Sequence, residues 1–242
     1  MTVAAIVPAA GRGERLGPGQ PKALRALGGV PMLVHAVRAL AQARLIDRLV
    51  VAAPADDVAG VTALLDSYDV GADVLVVAGG INRQQSVALA LEALPDDVRV
   101  VLVHDAARPL APSELADAVA ATVLAGHQAV VPGLAVADTI KRVEGATGGS
   151  VEESVLETVD RASLRAIQTP QGFDRGVLAK AHAAAAAAGD GDTATDDAGL
   201  VERLGLPVVV VAGSAEAFKI TRPMDLVFAE AVLAQRRSAG AL

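Results

Sequence analysis

The densest chemistry in the chain lies in residues 3–22, VAAIVPAAGRGERLGPGQPK. An apolar run from Val3 to Val7 breaks at Pro8 into Ala9-Ala10-Gly11-Arg12-Gly13, and Arg15 and Lys22 follow. Small residues directly after a strand let the backbone approach a ligand closely, and their N–H groups suit phosphate oxygens. Arg15 and Lys22 bring the positive charge that a polyphosphate demands. The segment reads as a loop for a nucleoside triphosphate. It is not a Walker loop, because Lys22 follows Pro21 and Ala23 stands where a magnesium-binding hydroxyl would be. It is not a dinucleotide fingerprint either. Its third glycine, Gly17, falls late, and the next apolar run, Leu49 to Ala53, ends in Pro54 with no acid for a ribose. On this segment alone, a glycine turn with solvated basic residues stays open.

Further candidates sit behind other apolar runs. In His104-Asp105-Ala106-Ala107-Arg108-Pro109, Asp105 can hold ribose hydroxyls or a magnesium ion, which prefers carboxylate and phosphate oxygens. Arg108 can face an anionic substrate; a helix-capping Asp beside a surface Arg is the plainer alternative. His104 is assigned to packing or orientation, since the 4 histidines show no metal-ligand spacing. Gly79-Gly80-Ile81-Asn82-Arg83-Gln84-Gln85-Ser86 is a glycine turn ahead of a helix. It can meet a base through the backbone with Ser86 as donor or acceptor, or serve only as a capped helix entry. Arg161, in Thr158-Val159-Asp160-Arg161, is a candidate phosphate ligand or a hairpin ion-pair partner. Thr195-Asp196-Asp197-Ala198 reads as an N-capped helix start. Lys219, in Phe218-Lys219-Ile220-Thr221-Arg222-Pro223, is a strand-end lysine that solvent alone could explain.

These residues need a scaffold, and the pattern supplies one. Short apolar runs alternate with longer amphipathic stretches, as in a mostly parallel sheet covered on both faces. Strands are predicted at Val3–Val7, Leu49–Ala53, Val74–Val77, Val98–Val103, Ala129–Pro132 and Val208–Val211. Helices are predicted at Pro31–Arg44, Val58–Ser67, Ser86–Leu94, Ser113–Leu124 with Ser113 as cap, and Arg222–Arg236. In such sheets ligands bind beyond the carboxyl ends of the strands, and most of the motifs fall there. Residues 133–169 break the rhythm. Asp138–Val143 and Ser154–Val159 have strand character around a glycine-rich stretch, which predicts a projecting hairpin whose default partner is a second copy. The alanine run at 183–193 reads as helix end and loop.

Composition narrows the class. A chain of 242 residues, 52% hydrophobic and 20% charged, fits one α/β domain or at most two small ones, and excludes disorder. The formal net charge of −7 argues against nucleic acid as a partner and makes anion recognition local. With 0 cysteines there are no disulfides or thiolate metal sites. No apolar stretch approaches a membrane span, and the N-terminus shows no basic n-region, so a cytoplasmic setting is expected.

Taken in order, PAAGxGxRxG…PK, GGxxRxxSV, VHDAARP, DTIK, TVDRxxLxxxQTPQGF, TDDA and KITRPxD resemble the 2-C-methyl-D-erythritol 4-phosphate cytidylyltransferase family over roughly residues 3–235. The resemblance implies a three-layer, Rossmann-like α/β fold of the nucleotide-diphospho-sugar transferase type. It implies a single domain over 1–242, with 133–169 as a β-hairpin dimerisation arm. It implies Mg2+-dependent transfer of CMP from CTP to 2-C-methyl-D-erythritol 4-phosphate by a homodimer. The matching roles are transition-state stabilisation by Arg15 and Lys22, and positioning of the attacking phosphate by Lys219 and by Arg161 from the partner subunit's arm. Ala9, Ala10, Gly11, Gly13, Gly80 and Ser86 match nucleotide contacts. Asp105 matches the ribose and metal region, and Arg108, Thr139 and Thr169 the methylerythritol phosphate pocket. Ile81 departs from the acidic or small polar residue common after the glycine pair, which leaves base recognition there to the backbone.

Rival readings are ribitol 5-phosphate cytidylyltransferase, a sugar-1-phosphate nucleotidyltransferase, a non-catalytic nucleotide-binding protein and a glycosyltransferase. The TVDR element and Ala107 favour methylerythritol phosphate over ribitol phosphate. Sugar-1-phosphate enzymes would lack TVDR and QTPQ. Retention of Arg15, Lys22, Arg161 and Lys219 argues for catalysis, and His104-Asp105-Ala106-Ala107 lacks the Asp-x-Asp metal motif of a glycosyltransferase.

Overall fold

The computed structural model describes residues 1–11, 21–144, 152–189 and 195–239. An inner strand of its sheet is β1 (Thr2–Pro8), where Val3 to Val7 are all within 1% of full burial. β1 pairs in parallel with β4 (Arg48–Ala53) on one side and β6 (Val98–Val103) on the other, and β4 pairs in parallel with β5 (Val74–Ala78). Successive side chains of a strand point to opposite faces. Accordingly Val3, Ala5 and Val7 join a cluster with α1 (Met32–Ala41), α2 (Val58–Ser67) and α4 (Ser113–Leu124). Ala4 and Ile6 join another with α3 (Arg83–Glu92), α5 (Arg175–Ala187) and α6 (Asp197–Arg203). Strands buried on both faces have no polar alternation to show. That is why they read as continuous Val, Ala and Leu runs.

A two-strand turn, β2 (Ala26–Leu27) with β3 (Val30–Pro31), leads into α1. Here Gly28 has φ +59, and an added Cβ would lie 2.3 Å from Cδ2 of Leu233 on α7 (Pro223–Ser238). The turn therefore needs glycine both for its backbone and for the packing of α7, which closes a third cluster with Leu27, Met32 and Ile220.

The far half of the sheet is where the sequence reading required most change. β7 (Ala129–Ala135) is longer than the predicted Ala129–Pro132, and β12 (Val209–Ala212) pairs in parallel with it. β10 (Arg165–Ile167) and β11 (Gln171–Asp174) were not predicted as strands, yet both lie antiparallel along β7, and β11 also pairs antiparallel with β6. β11 reads Gln-Gly-Phe-Asp, with one apolar side chain to signal it. Its Gln171 is buried in hydrogen bonds to Asp196 Oδ2 and the Ala198 amide, and Gly172 leaves room for Val119 of α4. The hairpin reading holds among the described residues: β8 (Ile140–Val143) pairs antiparallel with β9 (Val155–Val159).

Smaller corrections have local causes. α3 begins at Arg83 rather than Ser86, because Asn82 caps it by accepting from the Gln85 amide at 2.8 Å. Ser113 is not a cap; it is the first helical residue, Pro112 precedes it, and its hydroxyl turns to Glu114 instead. α1 stops at Ala41, short of the predicted Arg44. The N-capped helix start expected at Thr195-Asp196-Asp197-Ala198 is that of α6, and its cap is Asp196, accepting from the Gly199 amide at 3.0 Å.

Phe173 is fully buried in β11, where the parallel and antiparallel halves meet. Replacing it with Ala is expected to cost about 3–5 kcal/mol, read as a lowered urea midpoint with an unchanged slope.

Candidate active site

Strand ends converge on one cleft. β1 delivers Pro8 to Gly11, β5 delivers Gly79-Gly80, and β6 delivers Asp105 and Ala106. Lys22, Arg83, Ser86 and Lys219 bring the polar and charged side chains of its wall, beside Ile81, Asn82 and Ala107. Backbone bonds carry the ladder past the strands: Ala9 N–H to Ala52 O at 2.8 Å, Gly79 N–H to Ala53 O at 2.7 Å, and His104 N–H to Ile6 O at 2.9 Å.

The glycine pair is held by its neighbours. A Cβ on Gly79 would sit 2.7 Å from Cβ of Ala10, so the absence of a side chain lets the two loops touch. A Cβ on Gly80 would meet Gln85 at 2.4 Å, where the Gln85 side chain folds back to accept the Ile81 amide at 2.8 Å. Ser86 Oγ accepts the Gly80 amide at 3.0 Å and donates to Asn82 O at 2.8 Å. Among the described residues no atom lies within 4 Å of where a Cβ on Gly11 would be.

Asp105 is 8% exposed and lies between two cations: Arg83 Nε is 3.2 Å from Oδ1, and Lys219 Nζ is 2.7 Å from Oδ2. Burial alone would push this carboxyl up. Arg83 and then Lys219 outweigh it and hold the group well below the usual carboxylate range, so it is an anion at neutral pH. Arg83 in turn also faces Asp197, which is 1% exposed; against the pull of burial, these two acids keep the guanidinium charged.

Behind Asp105 stands a support. Its amide donates to Thr169 Oγ1 at 3.0 Å, and Thr169 Oγ1 is 3.0 Å from Nδ1 of His104. His104 Nε2 lies 3.3 Å from Arg108 O; a carbonyl can only accept, so Nε2 carries the proton and Nδ1 accepts from the threonine hydroxyl. Burial pushes the His104 imidazole down to about 4, with the Asp105 charge only partly opposing it, so the ring is neutral near pH 7.

The structure thus brings Ala9, Ala10, Gly11, Lys22, Gly80, Ser86, Asp105 and Lys219 together. Arg15 and Gly13 lie outside the described residues. Thr169 is 4% exposed and bonded to Asp105 and His104, so it holds the cleft floor. The Arg108 guanidinium donates to Ala217 O at 2.6 Å and Ile167 O at 3.2 Å, tying β10 to the segment before Lys219. Thr139 and Arg161 are exposed at the base of the hairpin and do not line the cleft of the single chain; Arg161 donates to Ala137 O. Sequence reasoning gave no role to Arg83, Asp197 or His182. A signal existed: His182 falls in the buried stripe Leu178, Ala181, His182, Ala185 of α5, the one titratable group on that face.

A mostly parallel sheet with a glycine-walled, cation-bearing cleft at the carboxyl edge of its parallel strands defines an α/β protein built to transfer a nucleotide. The family model for 2-C-methyl-D-erythritol 4-phosphate cytidylyltransferase (IspD) matches residues 3–235. Among relatives, the 2-C-methyl-D-erythritol 4-phosphate cytidylyltransferase of Streptomyces coelicolor is 57% identical over 236 residues, 97% of this chain and 86% of that protein. That of Frankia casuarinae is 58% identical over 233 residues, covering 96% and 82%. The crystal structure of the Thermus thermophilus 2-C-methyl-D-erythritol 4-phosphate cytidylyltransferase superposes with a TM-score of 0.74 at 36% identity, covering 97% of this chain and 100% of that one. The 4-diphosphocytidyl-2C-methyl-D-erythritol synthase of Anaerococcus prevotii gives a TM-score of 0.80 at 28% identity, covering 96% of both chains. The chain belongs to the 2-C-methyl-D-erythritol 4-phosphate cytidylyltransferase family.

The neutral His104 has a consequence for stability. Between the ordinary value of 6.5 and about 4, the unfolded chain binds a proton that the folded chain refuses. Stability should be full above pH 6.5 and fall as the pH drops toward 4, by roughly 3 kcal/mol in all. His35, also lowered by burial, adds in the same direction. Urea unfolding across this range checks it, and His104→Gln should flatten the dependence.

Proposed function

We propose that this cleft transfers CMP from CTP to 2-C-methyl-D-erythritol 4-phosphate, giving 4-diphosphocytidyl-2-C-methyl-D-erythritol and pyrophosphate. The observation that carries the reading is the convergence of Lys22, Lys219 and Asp105 on strand-end glycine loops, in a chain matched to the family over residues 3–235. The triphosphate lies along the Ala9-Ala10-Gly11 backbone and the base toward Gly80 and Ser86. Asp105 sits at the ribose. Lys22, with Arg15 from outside the described residues, neutralises the charge that builds on the triphosphate, and Lys219 draws the attacking phosphate into line.

An oxygen of the methylerythritol phosphate attacks the α-phosphorus of CTP. The new P–O bond forms as the bond to the β-phosphate bridge breaks, and pyrophosphate carries off the electron pair. The nucleophile is already ionised, so no general base is required. The protein's part is alignment and charge neutralisation. Among the described residues no cluster of three or more acidic, His or Cys side chains could hold a metal. Asp105 with the CTP phosphates fits Mg2+, which keeps several waters and needs only one or two protein carboxylates. When bound, Mg2+ would offset phosphate charge in the transfer.

The proposal extends to the whole chain acting as one domain, 1–242, in a cytoplasmic homodimer, with Thr139 and Arg161 of the 133–169 arm completing the partner's site. The exposure of both residues outside the cleft of their own chain supports the shared site; no helix among the described residues is long and apolar enough to cross a membrane.

Pyrophosphate release from CTP and Mg2+ should require methylerythritol 4-phosphate and fail with ribitol 5-phosphate or excess chelator; release only with ribitol 5-phosphate would overturn the substrate assignment. Lys22→Ala and Lys219→Ala should each lose on the order of 10²–10³ in kcat. Mixing Arg161→Ala with Lys22→Ala protein should restore activity after subunit exchange. No recovery would place Arg161 at its own cleft or outside the site.

A further inference from the structure

A chain of charges runs from the cleft into the helical layer, and the transfer chemistry above leaves its inner half unused. Arg83 stands at its centre, on the first turn of α3, with Nε 3.2 Å from Asp105 Oδ1 and Nη1 2.7 Å from Asp197 Oδ2. This inner contact is an ion pair in which Coulombic attraction outweighs the hydrogen-bond component. The other oxygen of Asp197, Oδ1, lies 3.0 Å from Nε2 of His182. A carboxylate can only accept, so Nε2 carries a proton, and Nδ1 is buried without a hydrogen-bond partner among the described residues. Asp197 and His182 are 1% and 4% exposed.

Asp197 is fixed by its surroundings as well as by Arg83. The preceding Asp196 caps α6 through the Gly199 amide at 3.0 Å and accepts Gln171 Nε2 at 2.7 Å. Gln171 Oε1 in turn accepts the Ala198 amide at 3.2 Å. The anion of Asp197 is thus presented to Arg83 from a braced helix start.

That placement governs the cleft. Arg83 is shared between two acids, so Asp105 keeps negative charge for Lys219, 2.7 Å from its outer oxygen. With Asp197 discharged, the guanidinium would belong to Asp105 alone, and the carboxylate would be free to turn away from Lys219. A buried ion chain kept only for stability is a poor device, since well-packed apolar side chains do as well or better. One that ends on a cleft lysine has another use.

We propose that Asp197 and His182 are positioning residues for the transfer, acting through Arg83 to fix the orientation and net charge of the Asp105–Lys219 pair. This rests on the reading that Lys219 serves the reaction from this cleft.

The test measures kcat, KM for both substrates and urea midpoints for His182→Leu, His182→Gln and Asp197→Asn, with Lys219→Ala as reference. His182→Gln keeps a donor for Asp197; His182→Leu keeps only volume. His182→Leu should lower kcat on the order of 10–100-fold, the scale at which partners of ligand-holding side chains act. His182→Gln should recover most of it, although His182→Leu is at least as stable. That separation of activity from stability is what a merely structural role would not give. Activity that follows stability across the variants, or a His182→Leu protein with wild-type kcat, overturns the inference. Should Asp197→Asn fail to fold, the His182 pair still decides. Full activity in Lys219→Ala would sink the cleft reading itself, whereas loss there with a fully active His182→Leu would sink only the positioning role.

Discussion

A carboxylate leaves water at great cost unless cations meet it, and the arrangement of this chain around Asp105 is governed by that requirement. Arg83 from the start of α3 and Lys219 from beyond β12 both reach the end of β6 to meet it. Segments separated by more than a hundred residues are thereby fixed relative to one another at the carboxyl edge of the sheet, the edge at which open α/β sheets take their ligands. The same pairing keeps Lys219, itself partly exposed, from wandering as a solvated lysine would.

The layers beneath serve this edge. β1 is dry on both faces, so β4 and β6 are gripped from each side and their ends have little freedom. The neutral ring of His104 adds a linkage that carries no charge into the core: it takes the Thr169 hydroxyl bond and gives its own proton to the Arg108 carbonyl. Thr169 then receives the Asp105 amide, so the floor of the cleft is set by hydrogen bonds whose directions are unambiguous. Polar networks of this kind specify one geometry when every member is satisfied.

Much of this was legible in the sequence because it depends on local chemistry. Apolar runs such as Val98–Val103 declare a doubly covered strand, and loops such as Gly79-Gly80 announce close approach at its end. The family resemblance drawn from the ordered motifs agrees with the family match. What stayed hidden depends on tertiary partners. β11 carries too few apolar residues to look like a strand, and its place between β6 and β7 is decided by what Gln171 and Gly172 meet there. Nothing in the local pattern linked Arg83, in the glycine turn, to Asp197, more than a hundred residues on; only the folded helical layer makes them one another's counter-ions. Thr169 and Arg108, matched to the substrate pocket by resemblance, are tied in the single chain to Asp105, His104, Ala217 and Ile167, partners that no local pattern announces.

The pairing of Arg165 with Ala135 gives the molecule an unusual freedom. The chain departs from β7 and comes back to β7 at adjoining points, so the excursion between them is hung from the sheet by a single hinge-width of backbone. Such an attachment is modular. The excursion can lengthen, shorten or change its surface over generations while the strands that carry Asp105 and the glycine loops keep their register. A lineage could in this way reshape the surface of the excursion and leave the cleft where it was.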